Sequence, residues 1–168
     1  MSDELSKTKT KTHGSLSTLS DCHKALVSLC RDTKKNLDIF SHRLEFALYD
    51  HAELEQTMSH LVRVHRFAQI RFLITDTQPL IEYGHRLMRL AIRLPSRIHI
   101  RKVTELPETK AAGFCLGDTH KLLYLASEAD YLGFYDTQAG PQVQSPREAF
   151  NRAWSSGAEE PCFKQFFI

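Results

Sequence analysis

Between Ser59 and Lys102 a basic helix end leads into the strand-like IRFLIT (70–75), then a second basic helix, then RIHIRKV (97–103). Two strands joined by a crossover helix must lie parallel in one sheet, so this βαβ unit constrains the fold more than any other stretch. IRFLIT is a nearly continuous apolar run, the pattern of a strand covered on both faces. Thr77 stands as a cap with Pro79 just inside the next helix. That helix is expected to bury Leu80, Gly84, Leu87, Met88 and Ala91 and to stop before Pro95.

The flanking patterns extend the scheme. Residues 1–14 alternate Lys and Thr, offer little to bury, and are expected to be a mobile tail, with residues 15–168 forming a single domain. Leu19, Leu26, Val27, Leu29 and Cys30 recur at helical spacing, with Ser20 or Asp21 as the cap, and NLDIFS (36–41) reads as a strand. Asp50 and Glu53 form a capping-box signal ahead of the face Leu54, Met58, Leu61, Val62 and His65. AGFCLGD and KLLYLAS flank Asp118, Thr119 and His120 as a hairpin, and YLGFYDT adds a strand. Ser145 and Glu148 start a last helix through Phe150 and Trp154, and the apolar CFKQFFI is suited to docking. The expected fold is an α/β sandwich with a mixed, mostly parallel sheet flanked by helices.

A chain of 168 residues, 42% apolar, suffices for one core. Cys22, Cys30, Cys115 and Cys162 form no C-x-x-C pair, which points to a reducing, cytoplasmic setting. The polar N-terminus lacks the apolar region of a signal peptide, and no run approaches the ~18 residues of a membrane span. The net charge is only +2, yet residues 60–102 hold eight Arg and one Lys against Asp76 and Glu82. Such segregation fits either a basic face offered to an anion or a basic segment neutralised by acidic neighbours on folding.

The series LDIFSHRLEFALYDHAELEQTMSHLVRVHRFAQIRFLITDTQP resembles the first half of a phospholipase D-like domain. YDHAELEQ, RFLITDTQP, GHRLMRLAIRLPSRIHIRK and the LGDTHKLLYL hairpin are similar to an uncharacterised bacterial family of such domains, found alone or appended to an N-acetyltransferase domain. The resemblance implies the phospholipase D-like sandwich, homodimerisation of a single-copy domain and a possible acetyltransferase partner. It also implies a His-x-Lys-x4-Asp motif, in which His is the nucleophile, Lys binds phosphate and Asp holds structure. With Asp118 in the Asp place, Ala111 stands for His and Gly113 for Lys. Catalysis by that motif is therefore not expected.

Nine histidines show no H-x3-H or H-E-x-x-H pair, so no metal is expected, and no glycine-rich phosphate loop points to a cofactor. Arg86, Arg89 and Arg93, extended by Arg97, Arg101 and Lys102, form the leading anion-binding candidate, since guanidinium forks match phosphate oxygens. A solvated helix face with a Glu82–Arg86 pair fits the same spacing. Ser41, His42, His120 and Lys121 are candidate pocket residues, the first two at a strand end where open α/β sheets bind ligands. Together these readings predict a non-catalytic module for a phosphorylated or nucleic-acid ligand. The rival readings are a regulatory domain of an acetyltransferase, or a phosphodiesterase using His99 or His120.

Overall fold

The structure, a computed structural model, describes residues 12–161. Seven strands form one sheet in the order β1-β7-β6-β5-β2-β3-β4. The parallel core is β2 (Asn36–Ser41), β3 (Gln69–Ile74) and β4 (Ile98–Lys102), in which Asp38 lies opposite Arg71 and Arg71 opposite His99. The chain then returns to the other side of β2 as β5 (Gly113–Gly117), β6 (Lys121–Ser127) and β7 (Leu132–Asp136), each antiparallel to its neighbour. β1 (His13–Leu16) closes that side against β7. Four of the six pairings are antiparallel, so the expected mostly parallel sheet is corrected. Only the strands joined by crossover helices run parallel, whereas hairpins impose the opposite sense.

β1 also corrects the tail boundary, because His13 and Gly14 lie opposite Asp136 and Tyr135 within the sheet. Residues 1–11 and the CFKQFFI segment lie outside the described residues.

Side chains alternate between two faces. Leu37, Ile39, Ile70, Phe72, Ile98, Cys115 and Leu123 point to a large core shared with α1 (Leu19–Asp32), α2 (Phe46–Tyr49), α3 (Ala52–Val64), α4 (Gln78–Tyr83) and α5 (Arg86–Arg93). Phe40, Leu73, Phe114, Leu116 and Leu122 point to a smaller core under α6 (Gln144–Ser156) and the 3-10 turn Gly140–Val143. α6 covers the β5–β6 side with Phe150 and Ala153, while over β2–β4 the same face turns polar.

Several helix ends differ from the caps that the sequence predicts. Thr18, not Ser20 or Asp21, caps α1, its Oγ1 accepting from the Asp21 N–H at 3.1 Å. Asp50 does not cap α3; its carboxylate accepts the Arg86 N–H at 3.0 Å, across the helix layer. Ser145 lies inside α6, whose N-cap is Val143. The helix expected to pass through Gly84 is two helices, because Gly84 takes φ +71° and His85 is extended. His85 caps α5: its Nδ1 accepts the Leu87 N–H at 3.1 Å, leaving Nε2–H to donate to the Leu44 carbonyl at 3.2 Å. Burial lowers its pKa to about 4.

Candidate functional site

The C-terminal ends of β2 and β3 meet the start of β5 at the sheet's switch from parallel to antiparallel, the edge where ligands are expected. Ala111 and Gly113 arrive there, and both are buried. A Cβ at Gly113 would stand 2.5 Å from Glu128 Oε1 and 3.0 Å from the Phe40 carbonyl. The space beside Gly113 is thus taken by a carboxyl group. Glu128 accepts from buried Ser41 Oγ at 3.1 Å, and burial raises its pKa against the lowering effect of that bond. An adjacent cavity of about 390 Å³ is lined by Phe40, His42, Thr75, Leu106, Ala111 and Glu128, among others. His42, a pocket candidate from the sequence together with Ser41, brings an imidazole to this cavity. Its lining holds no Lys or Arg, so a phosphate there would face Glu128 uncompensated.

Asp118 sits at the opposite end of β2. In the left-handed region at φ +50°, it accepts the N–H groups of Lys34, Lys35 and Asn36 at 3.0, 2.8 and 3.1 Å, with Lys121 Nζ at 3.4 Å. Burial raises its pKa, and these donors outweigh it, leaving the carboxyl below its ordinary value. Asp118 therefore ties the hairpin turn to the start of β2. His120 is exposed in that turn, its Nε2 3.1 Å from Lys121 Nζ. Ser41 and His42 are separated from His120 and Lys121 by the length of β2, about 17 Å at ~3.3 Å per residue, so these four residues do not form one pocket.

The arginine series is likewise dispersed. Arg93 pairs with Glu55 of α3 at 2.9 Å, and Arg86 lies 3.8 Å from both Asp50 and Glu55. Glu82 accepts from Gln78 rather than pairing with Arg86, because the break at Gly84 rotates α5 away from α4. Arg97 donates to the Ala68 and His65 carbonyls at 2.9 and 2.6 Å. Arg89 and Lys102 are exposed and make no ion pair among the described residues.

Arg101 points to the other face, into the polar groove over β2–β4. This groove, about 780 Å³, runs along β4 and is lined by Asp38, Gln69, Arg71, His99, Arg101, Arg147 and Trp154, with Ile92 and Pro95 on its α5 side. Asp38, 1% exposed, anchors it. It receives a bidentate pair from Arg71 at 2.7 and 2.9 Å and a bond from Arg147 at 3.2 Å. Arg147 also donates to the Asp118 carbonyl, and Arg71 to Asn151 Oδ1 at 2.9 Å. The Arg71 guanidinium lies over the Phe150 ring at 4.8 Å and the Arg101 guanidinium over Trp154 at 4.6 Å. Arg101 further donates to the Trp154 carbonyl at 2.7 Å. His99 bonds Gln69 Oε1 at 2.8 Å, and burial, then Arg101 and Arg71, lower its pKa, so the groove's positive charge is carried by guanidinium groups. Sequence reasoning missed Asp38, Arg71, Arg147 and Trp154; the available signal was a charged residue within each of two otherwise apolar strands, which only a buried partner makes tolerable. Among the described residues, no cluster of three His, Cys, Asp or Glu is arranged to hold a metal.

The fold is shared with solved structures at low sequence identity. TrmBL2, described as an archaeal chromatin protein with a novel mode of DNA binding, superposes with a TM-score of 0.65 at 11% identity over 90% of this chain and 55% of its own, so this chain spans about half of it. NucT from Helicobacter pylori gives 0.60 at 8% identity, covering 88% of this chain and 98% of its own. Phosphatidylserine synthase from Haemophilus influenzae Rd KW20 gives 0.59 at 10% identity, over 93% and 40%. These likenesses place the fold among phospholipase D-like folds. No curated protein matches the sequence. The model of a domain of unknown function, DUF7931, matches residues 18–166, and the chain belongs to that family.

Proposed function

We propose that this domain is a non-hydrolytic module that binds phosphate-bearing ligands, nucleic acid foremost, in the groove between β4 and α6. The observation that carries the reading is the convergence of Arg71, Arg101 and Arg147 on one groove around a single buried carboxylate. The side chains of Arg71 and Arg147 are 26% and 25% exposed, anchored by Asp38 yet reachable by a ligand. Guanidinium forks held rigid in this way suit phosphate oxygens. The DNA binding described for TrmBL2 supports the choice of ligand. The non-hydrolytic half of the proposal rests on the motif edge, where Glu128 occupies the space beside Gly113 and repels the group that a nucleophile would attack. Pairing of two copies about a two-fold axis belongs to the same proposal. Among the described residues no contact favours an acetyltransferase over other partners.

Anisotropy of a short fluorescent oligothymidylate tests the reading. Affinity should fall with salt at a log–log slope of about −2, as for three phosphate contacts on a single strand. Arg101→Gln should weaken binding, while Arg89→Gln, on the helix face outside the groove, should leave it nearly unchanged. Loss of binding through Arg89 alone would move the site to α5. Turnover of a bis-aryl phosphodiester that is lost in His42→Ala would defeat the non-hydrolytic half.

A further inference from the structure

β4 is an edge strand, and its outer side is met at one point by the segment that follows α6. Lys102 and Ala158 exchange both backbone hydrogen bonds, at 2.7 and 2.9 Å, and Thr104 Oγ1 donates to the Ser156 carbonyl at 2.6 Å. The bridge is antiparallel, so beyond Ala158 the chain turns along β4 toward the groove, and Glu159 and Glu160 both line it. Glu160 Oε2 accepts from Thr77 Oγ1 at 3.0 Å. Arg71, Arg101 and Arg147 exceed the Asp38 carboxylate by two charges, and Glu159 and Glu160 supply two negative charges at the same groove.

We propose that Ala158–Glu160 is a built-in competitor for the groove, its two carboxylates holding the charge that a phosphate-bearing ligand would bring. This rests on the groove being the anion site. The anchor suits release: one reciprocal pair of backbone bonds holds the segment to β4, whereas β3 holds β4 along the whole strand. A ligand entering the groove competes with the two carboxylates for its positive field, and the segment leaves by breaking contacts that include the Lys102–Ala158 bridge and the Thr77–Glu160 bond. The competitor raises the threshold for weak anions and leaves the site to ligands that present several phosphates at once.

The test measures oligothymidylate affinity in four variants beside the native protein. Glu159→Gln/Glu160→Gln removes the competing charge, and Ala158→Pro removes the N–H that bonds Lys102 while keeping both acids on the chain. Glu45→Gln/Glu82→Gln makes the same change of net charge at exposed positions outside the groove lining, and Arg101→Gln reports the groove itself. The first two should bind roughly three- to tenfold tighter, a gain of the size expected from removing nearby like charges, and the remote pair should change affinity less than about twofold. If the first two match the native protein, or gain no more than the remote pair, while Arg101→Gln still weakens binding, the competitor is overturned and the groove stands. If no variant binds even at low salt, the groove reading falls, and the competitor with it.

Discussion

Asp38 and Arg71 face each other across the β2–β3 register, and the geometry of that pair sets what each can tolerate. Asp38 is nearly unexposed and serves two guanidinium groups, so its removal strands two partly buried cations. Breaking a buried pair from one side costs about 3–5 kcal/mol. Asp38→Ala is therefore expected to lose stability of that order in urea unfolding, and a loss within the ±0.5 kcal/mol of ordinary surface changes would show that the pair is solvated. Little of this was legible residue by residue. NLDIFS and IRFLIT are recognisable as strands, but which strands are neighbours, and in what register, is a long-range matter, and without it Asp38 and Arg71 are unrelated charges. Asp118 could be read as a structural turn residue, yet it caps the start of β2 rather than its own turn.

The break between α4 and α5 shows how an element can depart from its periodicity. Leu80, Leu87, Met88 and Ala91 repeat at helical spacing and are buried, but Gly84 bends the backbone and His85 restarts the helix as a side-chain cap. A glycine within an apolar helical pattern reads equally as a packing site or a break, and the bonds from the His85 ring to the Leu87 N–H and the Leu44 carbonyl decide it. Because Nδ1 must accept, the cap requires the neutral ring. The folded pKa is about 4 against 6.5 for the free side chain, so between those values the unfolded chain binds the additional proton and stability falls as pH falls. The contribution is complete above pH 6.5 and approaches a loss of about 3 kcal/mol near pH 4. Thermal melts should show this acid slope, and His85→Asn, which keeps a capping oxygen, should flatten it; an unchanged slope would assign the acid sensitivity to other groups.

At the scale of the whole molecule, the open sides of the sheet decide what it can meet. Leu132 and Phe134 of β7 are partly exposed, with Phe134 stacked on Tyr124 at 5.1 Å, beside the edge strand β1. Light scattering should give twice the 19.3 kDa chain mass if two copies pair; the monomer mass across micromolar concentrations would remove two-fold pairing from the proposal. The described helices include none long and apolar enough to cross a membrane. The sequence by itself determined the main strands, the βαβ unit and the hairpin, because periodicity, turn residues and spacing are properties of adjacent residues. Only the tertiary structure decided that most strand pairings are antiparallel, that Arg86 and Arg93 of α5 are met by Glu55 while Arg71, Arg101 and Arg147 share a groove, and that Glu128 occupies the space beside Gly113. Those outcomes depend on which distant segments come together around the two cores, and charge, unlike periodicity, acquires its meaning from the neighbour it is folded against.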